Sequence, residues 1–320
     1  MKKYIFYLLL CIALPTLTVQ AQRNSIYSQY MFHGMYINPA YAGYKDALNV
    51  NLYYRSQWTS MDGGPKTFAL AADMPTANRR GAFGLQVIND RIGGEKNTST
   101  YVNYAHRLRL SESDQFLVFG IGAGFVSNSY DNNDIITEQP EPISVESTFL
   151  PDVRVGVYYH NPNFFAGISA DNLVSTATFN DDISSFQPTP HIYFNVGGLI
   201  RANESIILKP SALVRTATKS ELKPWTTDIN LGVLFAEQFT VGATYRNSFL
   251  SGSDKPSNVT TRNSIIGLVE FATRSGFKIG YSFDYPLSST INNLGGTHEV
   301  SLGYTLPSRQ GVRVRSPRFF

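Results

Sequence analysis

TDINLGVLFAEQFTVGATYR, residues 227–246, decides the fold. Thr227, Ile229, Leu231, Val233 and Phe235 alternate with Asp228, Asn230 and Gly232. After the Glu237-Gln238 turn, Phe239, Val241, Ala243 and Tyr245 alternate with Thr240, Gly242, Thr244 and Arg246. Successive side chains of a strand point to opposite faces, so each half has one oily face and one polar face. The pair reads as an antiparallel hairpin with a tight turn.

The pattern repeats along the chain. Val153, Val155, Val157 and Tyr159 alternate with Asp152, Arg154, Gly156 and His160, and Phe277, Ile279, Tyr281, Phe283 and Tyr285 with Lys278, Gly280, Ser282 and Asp284. Fourteen strands are expected: 47–59, 66–75, 81–89, 98–110, 114–127, 150–160, 163–172, 189–201, 205–215, 224–236, 239–249, 262–273, 276–285 and 297–306. Charged residues make up 16% of the chain, aromatics reach 13%, and no mature segment holds a long apolar run. A soluble domain carries about 25% charge, and a membrane helix needs about 18 or more apolar residues. An all-β transmembrane antiparallel barrel fits these observations.

A soluble sandwich also alternates. Aromatic placement separates the two, because Trp58, Tyr159, Phe164, Trp225 and Tyr285 collect at strand ends on the apolar face, as in a membrane-interface girdle. Connections after even strands are mostly tight (TANRR, SES, NP, ANE, EQ, RS), whereas several after odd strands are long (128–149, 173–188, 250–261, 286–296). Short turns on one side and long loops on the other belong to an outer-membrane barrel. Lipid offers no partner to an open sheet edge, so such strands must close. The polar faces then line a lumen, placing Arg55, Asp73, Asp152, Arg154, Asp171, Lys209, Arg215, Asp228, Arg246, Glu270, Lys278, Asp284 and Glu299 inside. This mixture of signs suits either a cross-linked, closed lumen or a lined pore.

The two ends complete the plan. Lys2-Lys3, the apolar run Ile5–Leu14 and Val19-Gln20-Ala21 form a secretory signal peptide over residues 1–21. Cleavage removes the single cysteine, Cys11, and takes the formal charge from +3 to +1, so neither a disulfide framework nor nucleic-acid binding is expected. Residues 22–46 contain YSQYMFHGMYINPAYAGY (27–44), with six aromatics and no charge. That stretch reads as a plug inside the barrel or a collar on its periplasmic rim, with a short helix ended by Asn38-Pro39. Residues 47–306 form the barrel and 307–320 a basic tail with Arg309, Arg313, Arg315, Arg318 and terminal Phe319-Phe320. The tail reads as a docking element, an assembly signal or a frayed end. The loop 128–149 is acidic and suits a surface contact or a solvated loop. An even strand count puts both termini on the periplasmic side.

Little here points to catalysis. His33, His106, His160, His191 and His298 lack metal-ligand spacing. Gly120-Ile121-Gly122-Ala123-Gly124 lies in a strand with no helix following, so it suits close approach of an inner segment rather than a dinucleotide. No nucleophile elbow or paired carboxylate stands out. No catalytic residue, metal or cofactor is expected.

The motif QYMF-HGMYINPAYAG resembles the start of the PorP/SprF family, outer-membrane proteins of the Bacteroidetes type IX secretion and gliding system. YRSQWTSMDGGPKTFALAADMP (54–75), GAFGLQVINDRIGG (81–94), FLPDVRVGVYYHNPNFFAGISADNL (149–173), GYSFDYPLSSTINNLGGTHEVSLGY (280–304) and SPRFF (316–320) follow in order. Tyr30, Met31, Phe32, Asn38, Pro39, Ala40 and Gly43 carry the first motif, which departs from the family pattern at His33-Gly34. The Asn38-Pro39-Ala40 turn is also similar to the hatch turn of FadL-like barrels. The resemblance implies a non-enzymatic role in export or surface attachment of a type IX substrate such as a large adhesin. It also implies contact with periplasmic ring and peptidoglycan-associated components. A porin or FadL-like small-molecule transporter is the alternative reading, and a membrane-embedded enzyme a third.

Overall fold

A computed structural model describes residues 27–130, 147–178, 188–218, 223–251, 262–287 and 295–306. The signal peptide, residues 22–26, most of the acidic loop and the basic tail with its four arginines and terminal phenylalanines lie outside the described residues. Fourteen antiparallel strands follow one another around a closed sheet: β1 (Asn49–Ser56), β2 (Lys66–Pro75), β3 (Gly81–Ile92), β4 (Glu95–Ser111), β5 (Gln115–Tyr130), β6 (Thr148–His160), β7 (Phe164–Asp171), β8 (His191–Gly198, resuming at Ile200–Arg201), β9 (Ile206–Ala217), β10 (Lys223–Phe235), β11 (Phe239–Ser251), β12 (Arg262–Ala272), β13 (Phe277–Pro286) and β14 (Thr297–Thr305). The ring closes where β1 pairs with β14, Asn49 opposite Thr305 and Ser56 opposite His298.

The break in β8 has a local cause. The register against β9 is the same on both sides of it, with Ser211 opposite Gly197 and Leu208 opposite Ile200. Pro210 lies between, and proline has no N–H to give to a ladder. Leu199 instead donates to Asn163 O at 2.7 Å.

The alternation sets the two faces as expected. Leu52, Tyr54, Phe83, Val102, Ile121, Ile229, Leu231, Val241, Tyr245, Ile279 and Leu302 are exposed on the outer surface, where hydrocarbon replaces water. All thirteen charged residues expected inside face the lumen, and eleven of them are buried. Among the described residues no helix is long and apolar enough to cross a membrane.

Two expectations are corrected. Trp58 is not on a strand end: β1 stops at Ser56, and Trp58 sits in the following turn with φ 55°. The connection between β3 and β4 is the two residues Gly93-Gly94, because pairing continues past the apolar belt from Asn89↔Thr98 to Ile92↔Glu95. Polar β-formers such as Thr98 and Thr100 hold a ladder as well in water as in lipid, so the end of the oily stripe does not mark the end of the strand. Length therefore does not sort every odd connection from every even one.

Candidate functional site: the filled lumen

Residues 27–44 are all buried, and the partners of this segment are inward-facing barrel residues. The segment forms no α-helix, contrary to expectation. It runs through turns and two 3-10 pieces, Gly34–Tyr36 and Pro39–Tyr41. Asn38-Pro39 starts the second piece instead of ending a helix: Asn38 is its N-cap, accepting from Ala40 N at 2.9 Å, with proline at the first position. An α-helix would have used the segment's backbone groups internally. Here turn bonds within the segment, such as Tyr36 N to His33 O at 3.1 Å, take some of them and barrel side chains take others, which satisfies a buried backbone equally well.

These bonds run from one side of the lumen to the other. Near the long-connection end, Ser28 N donates to both oxygens of Glu299 at 3.1 and 3.0 Å. Arg246 donates to Tyr27 O at 3.5 Å and Ser28 Oγ at 3.4 Å. The same guanidinium holds Asp228 at 2.7 Å and Asp284 at 3.1 Å. Gln29 donates to Glu299 O at 3.2 Å and accepts from Ser301 Oγ at 2.6 Å. Deeper, Arg154 donates to Met35 O at 3.0 Å and Gln86 Oε1 at 2.8 Å, and Ser169 Oγ donates to Ile37 O. Asn38 Nδ2 reaches Val157 O at 3.2 Å and Ile168 O at 3.3 Å. At the turn side, Gly43 N donates to Asp73 at 2.7 Å, and Arg107 donates to Gly43 O and Asp46.

Packing accounts for the rest. The inner wall of β2–β5 is built from small residues, Ala69, Ala71, Ala82, Gly84, Ala105 and Gly120, which leave room for the segment. A methyl added at Gly120 would lie 2.5 Å from Ala40 Cα and from the Pro39 carbonyl carbon. Gly156 and Gly167 give Asn38 the same close approach. Tyr41 and Tyr44 stack at 4.9 Å and meet Tyr158 edge-on at 5.8 Å, while Tyr27 stacks on Tyr36 at 5.1 Å. Aromatic pairs of this kind add about 0.5–1.5 kcal/mol beyond burial. A cavity lined by Tyr27, Ile37, Tyr193, Leu213, Arg215, Thr226 and Asp228 has room for about one water molecule.

Strand β6 organises both the segment and an outer connection. From the turn side, His160 and Tyr158 face Tyr44, Gly156 faces Asn38, and Arg154 holds Met35 O. Asp152 comes next and holds the chain beyond β7. It accepts from Asn172 N at 3.1 Å, Val174 N at 3.1 Å and Ser175 N at 3.0 Å, capping the single helical turn Ser175–Thr178. Tyr101 joins the two levels. Its hydroxyl donates to Asp152 at 2.7 Å and its ring lies 5.4 Å from the Arg154 guanidinium.

The motif residues gather in this site: Tyr30, Met31, Phe32, Asn38, Pro39, Ala40 and Gly43 are all buried there. Tyr30 faces Ser211 at 3.5 Å, and the Lys209 ammonium lies 5.2 Å from the Phe32 ring. The histidines are dispersed. His191 lies 3.6 Å from Asp171, His298 bonds Tyr281 at 2.7 Å on the outer face, and His106 is next to Tyr104. Among the described residues no group of three His, Cys, Asp or Glu is placed to hold a metal ion. Sequence reasoning missed Gln86, Tyr101, Arg107 and Ser169; each occupies the inward parity of its strand, which was the available signal. Gln29 had no such signal.

The family described as type IX secretion system membrane protein PorP/SprF matches residues 19–304. The chain belongs to this family. As a PorP/SprF protein it is an outer-membrane β-barrel and a membrane component of type IX secretion. The CymD monoaromatic hydrocarbon channel is similar in structure, with a TM-score of 0.59 at 9% identity over 86% of this chain and 93% of that one. The toluene transporter TbuX of Ralstonia pickettii gives 0.52 at 11% identity over the same shares, 86% and 93%. At these identities what the PorP/SprF chain shares with both is the fold. No curated protein matches the sequence.

Proposed function

We propose that this PorP/SprF protein is a non-enzymatic component that assists export or surface anchoring of a type IX substrate. In this reading the N-terminal segment, residues 22–46, is a plug that keeps the barrel shut. The tight turns face the periplasm, where the basic tail and the rim contact secretion components. The supporting observation is the lumen itself: its charged residues bind the chain's own segment and one another, which suits a closed scaffold better than an open pore.

Planar-bilayer conductance combined with surface display tests this. The intact protein should give no steady current, and deletion of residues 22–44 should open one. Cells lacking the protein should lose surface display of a type IX substrate while taking up solutes normally. Steady currents from the intact protein, with normal display in its absence, would favour the porin or FadL-like reading instead. The folds of the CymD and TbuX barrels keep that second reading in view.

A further inference from the structure

Seven elements make up the turn-side rim: six hairpin turns and the junction where the chain enters β1 and leaves β14. Their charges are sorted around the ring. Three consecutive elements are cationic: the β12–β13 turn with Arg274, followed by Lys278; the junction with Lys45; and the β2–β3 turn with Arg79 and Arg80. Backbone bonds join the first two, Thr305 N donating to Gly276 O at 2.9 Å and Leu306 N to Leu48 O at 2.8 Å. Arg107 on β4 links the junction to the β2–β3 turn: its N donates to Arg80 O at 2.8 Å, and its guanidinium donates to Gly43 O and Asp46. The one carboxylate on this arc, Asp46, is held by Arg107. Behind the arc, the inward-facing Asp73 and Glu270 offset two of the charges.

The remaining four elements are neutral or acidic. Arg109 pairs with Asp114 at 3.4 Å beside Glu112, Asn161-Pro162-Asn163 carries no charge, and Arg201 lies 3.9 Å from Glu237 near Glu204. The chain leaves the cationic arc at Leu306 with fourteen residues still to come, which include four arginines and no Asp or Glu.

We infer that the cationic arc, carried by Arg79, Arg80, Arg274 and Lys278, is a docking surface for an acidic protein segment on the turn side. This deepens the proposed function by naming the chemistry of the partner. Clustered like charges repel unless a counter-charge covers them, and a potential confined to one arc orients as well as attracts. Protein is favoured over lipid headgroups by direction. Lys278 faces inward between the outward Phe277 and Ile279, and Lys45 follows the buried Tyr44, so the arc is centred on the barrel mouth and not on the bilayer.

The test uses the full chain in zwitterionic nanodiscs and a fluorescent decaglutamate peptide, with anisotropy read at low and high salt. Binding should weaken with salt, and the triple variant Arg79→Gln, Arg80→Gln, Arg274→Gln should lose about tenfold in affinity at low salt. The control pair Arg109→Gln, Arg201→Gln, on the neutralised arc, should bind as the parent does. Heat-modifiable mobility confirms that each barrel is folded. Equal binding by the triple variant, equal loss in the control pair, or no binding by the parent overturns the inference. In phosphatidylglycerol nanodiscs, native mass spectrometry gives the competing outcome. If the triple variant loses retained anionic lipid while decaglutamate binding is unchanged, the arc is a headgroup site and the inference fails. Because the assay involves no secretion, its failure leaves the export role standing, and failure of the export role leaves it standing.

Discussion

Substituting Gly120 by alanine should expel the N-terminal segment from the lumen without unfolding the barrel. The new methyl would lie 2.5 Å from Ala40 Cα and from the Pro39 carbonyl carbon, against an ordinary contact of about 3.4–4 Å. Both neighbours are backbone, so no rotamer change relieves the clash, and the Pro39–Ala40 turn must withdraw by about an ångström or more. Asn38 then loses Val157 O and Ile168 O, now at 3.2 and 3.3 Å, and Arg154 loses Met35 O, now at 3.0 Å. At about 1 kcal/mol for each neutral bond and somewhat more for the charged one, with about 1–3 kcal/mol for overpacking, the bound segment is destabilised by about 4–6 kcal/mol. That is a shift of about three orders of magnitude or more in the population with the segment released. Chymotrypsin applied to the nanodisc-embedded protein reads it, since the segment's tyrosines become cleavable on release. Gly267→Ala is the control, because Gly267 faces outward with nothing within 4 Å of an added methyl. Unchanged protection in Gly120→Ala, or equal cleavage in both variants, would refute the packing argument.

Other outcomes follow from the same geometry. Arg246→Ala leaves Asp228 and Asp284 buried without their cation and should cost about 3–5 kcal/mol, seen as a lower temperature for loss of the heat-modifiable band, and Arg246→Lys should recover only part of it. Asp152→Asn removes the charge that accepts three backbone amides, so hydrogen exchange over 172–178 should rise severalfold while the segment stays protected. Asn38→Ala loses a cap and two strand contacts, about 3 kcal/mol together, and should raise chymotrypsin cleavage of the segment by about a hundredfold. Burial, followed by the nearby Lys278 and Lys45 charges, holds the His33 imidazole down to about 3, so its seat in the lumen takes the neutral ring. With the released pKa at about 6.5, segment binding should be full above that pH and weaken steadily as pH falls towards about 3. His33→Phe should flatten this dependence in the same cleavage assay.

Much of the barrel was legible because its signal is local. Period-two alternation in segments such as 227–246 placed all fourteen strands and assigned Arg55, Arg154, Arg246 and Glu299 to the inside, since facing depends only on parity. Strand ends were less legible: β3 and β4 run on to Ile92 and Glu95 because backbone pairing does not stop where the apolar stripe does. The helix expected over the segment failed for a related reason. Four-residue spacing measures side-chain periodicity, whereas three of the segment's carbonyls are taken by Arg154, Ser169 and Arg246 and others close tight turns within it.

By itself the sequence determined that this chain is a membrane barrel with an uncharged aromatic segment before its first strand, because hydropathy and alternation act between near neighbours. Only the tertiary structure decided what that segment touches. Ser28 meets Glu299 across 271 residues of chain, and Gly120 lies against Ala40, because closing the ring brings the inward faces of distant strands around one volume. No local pattern encodes which residues share that volume; strand order, register and closure do.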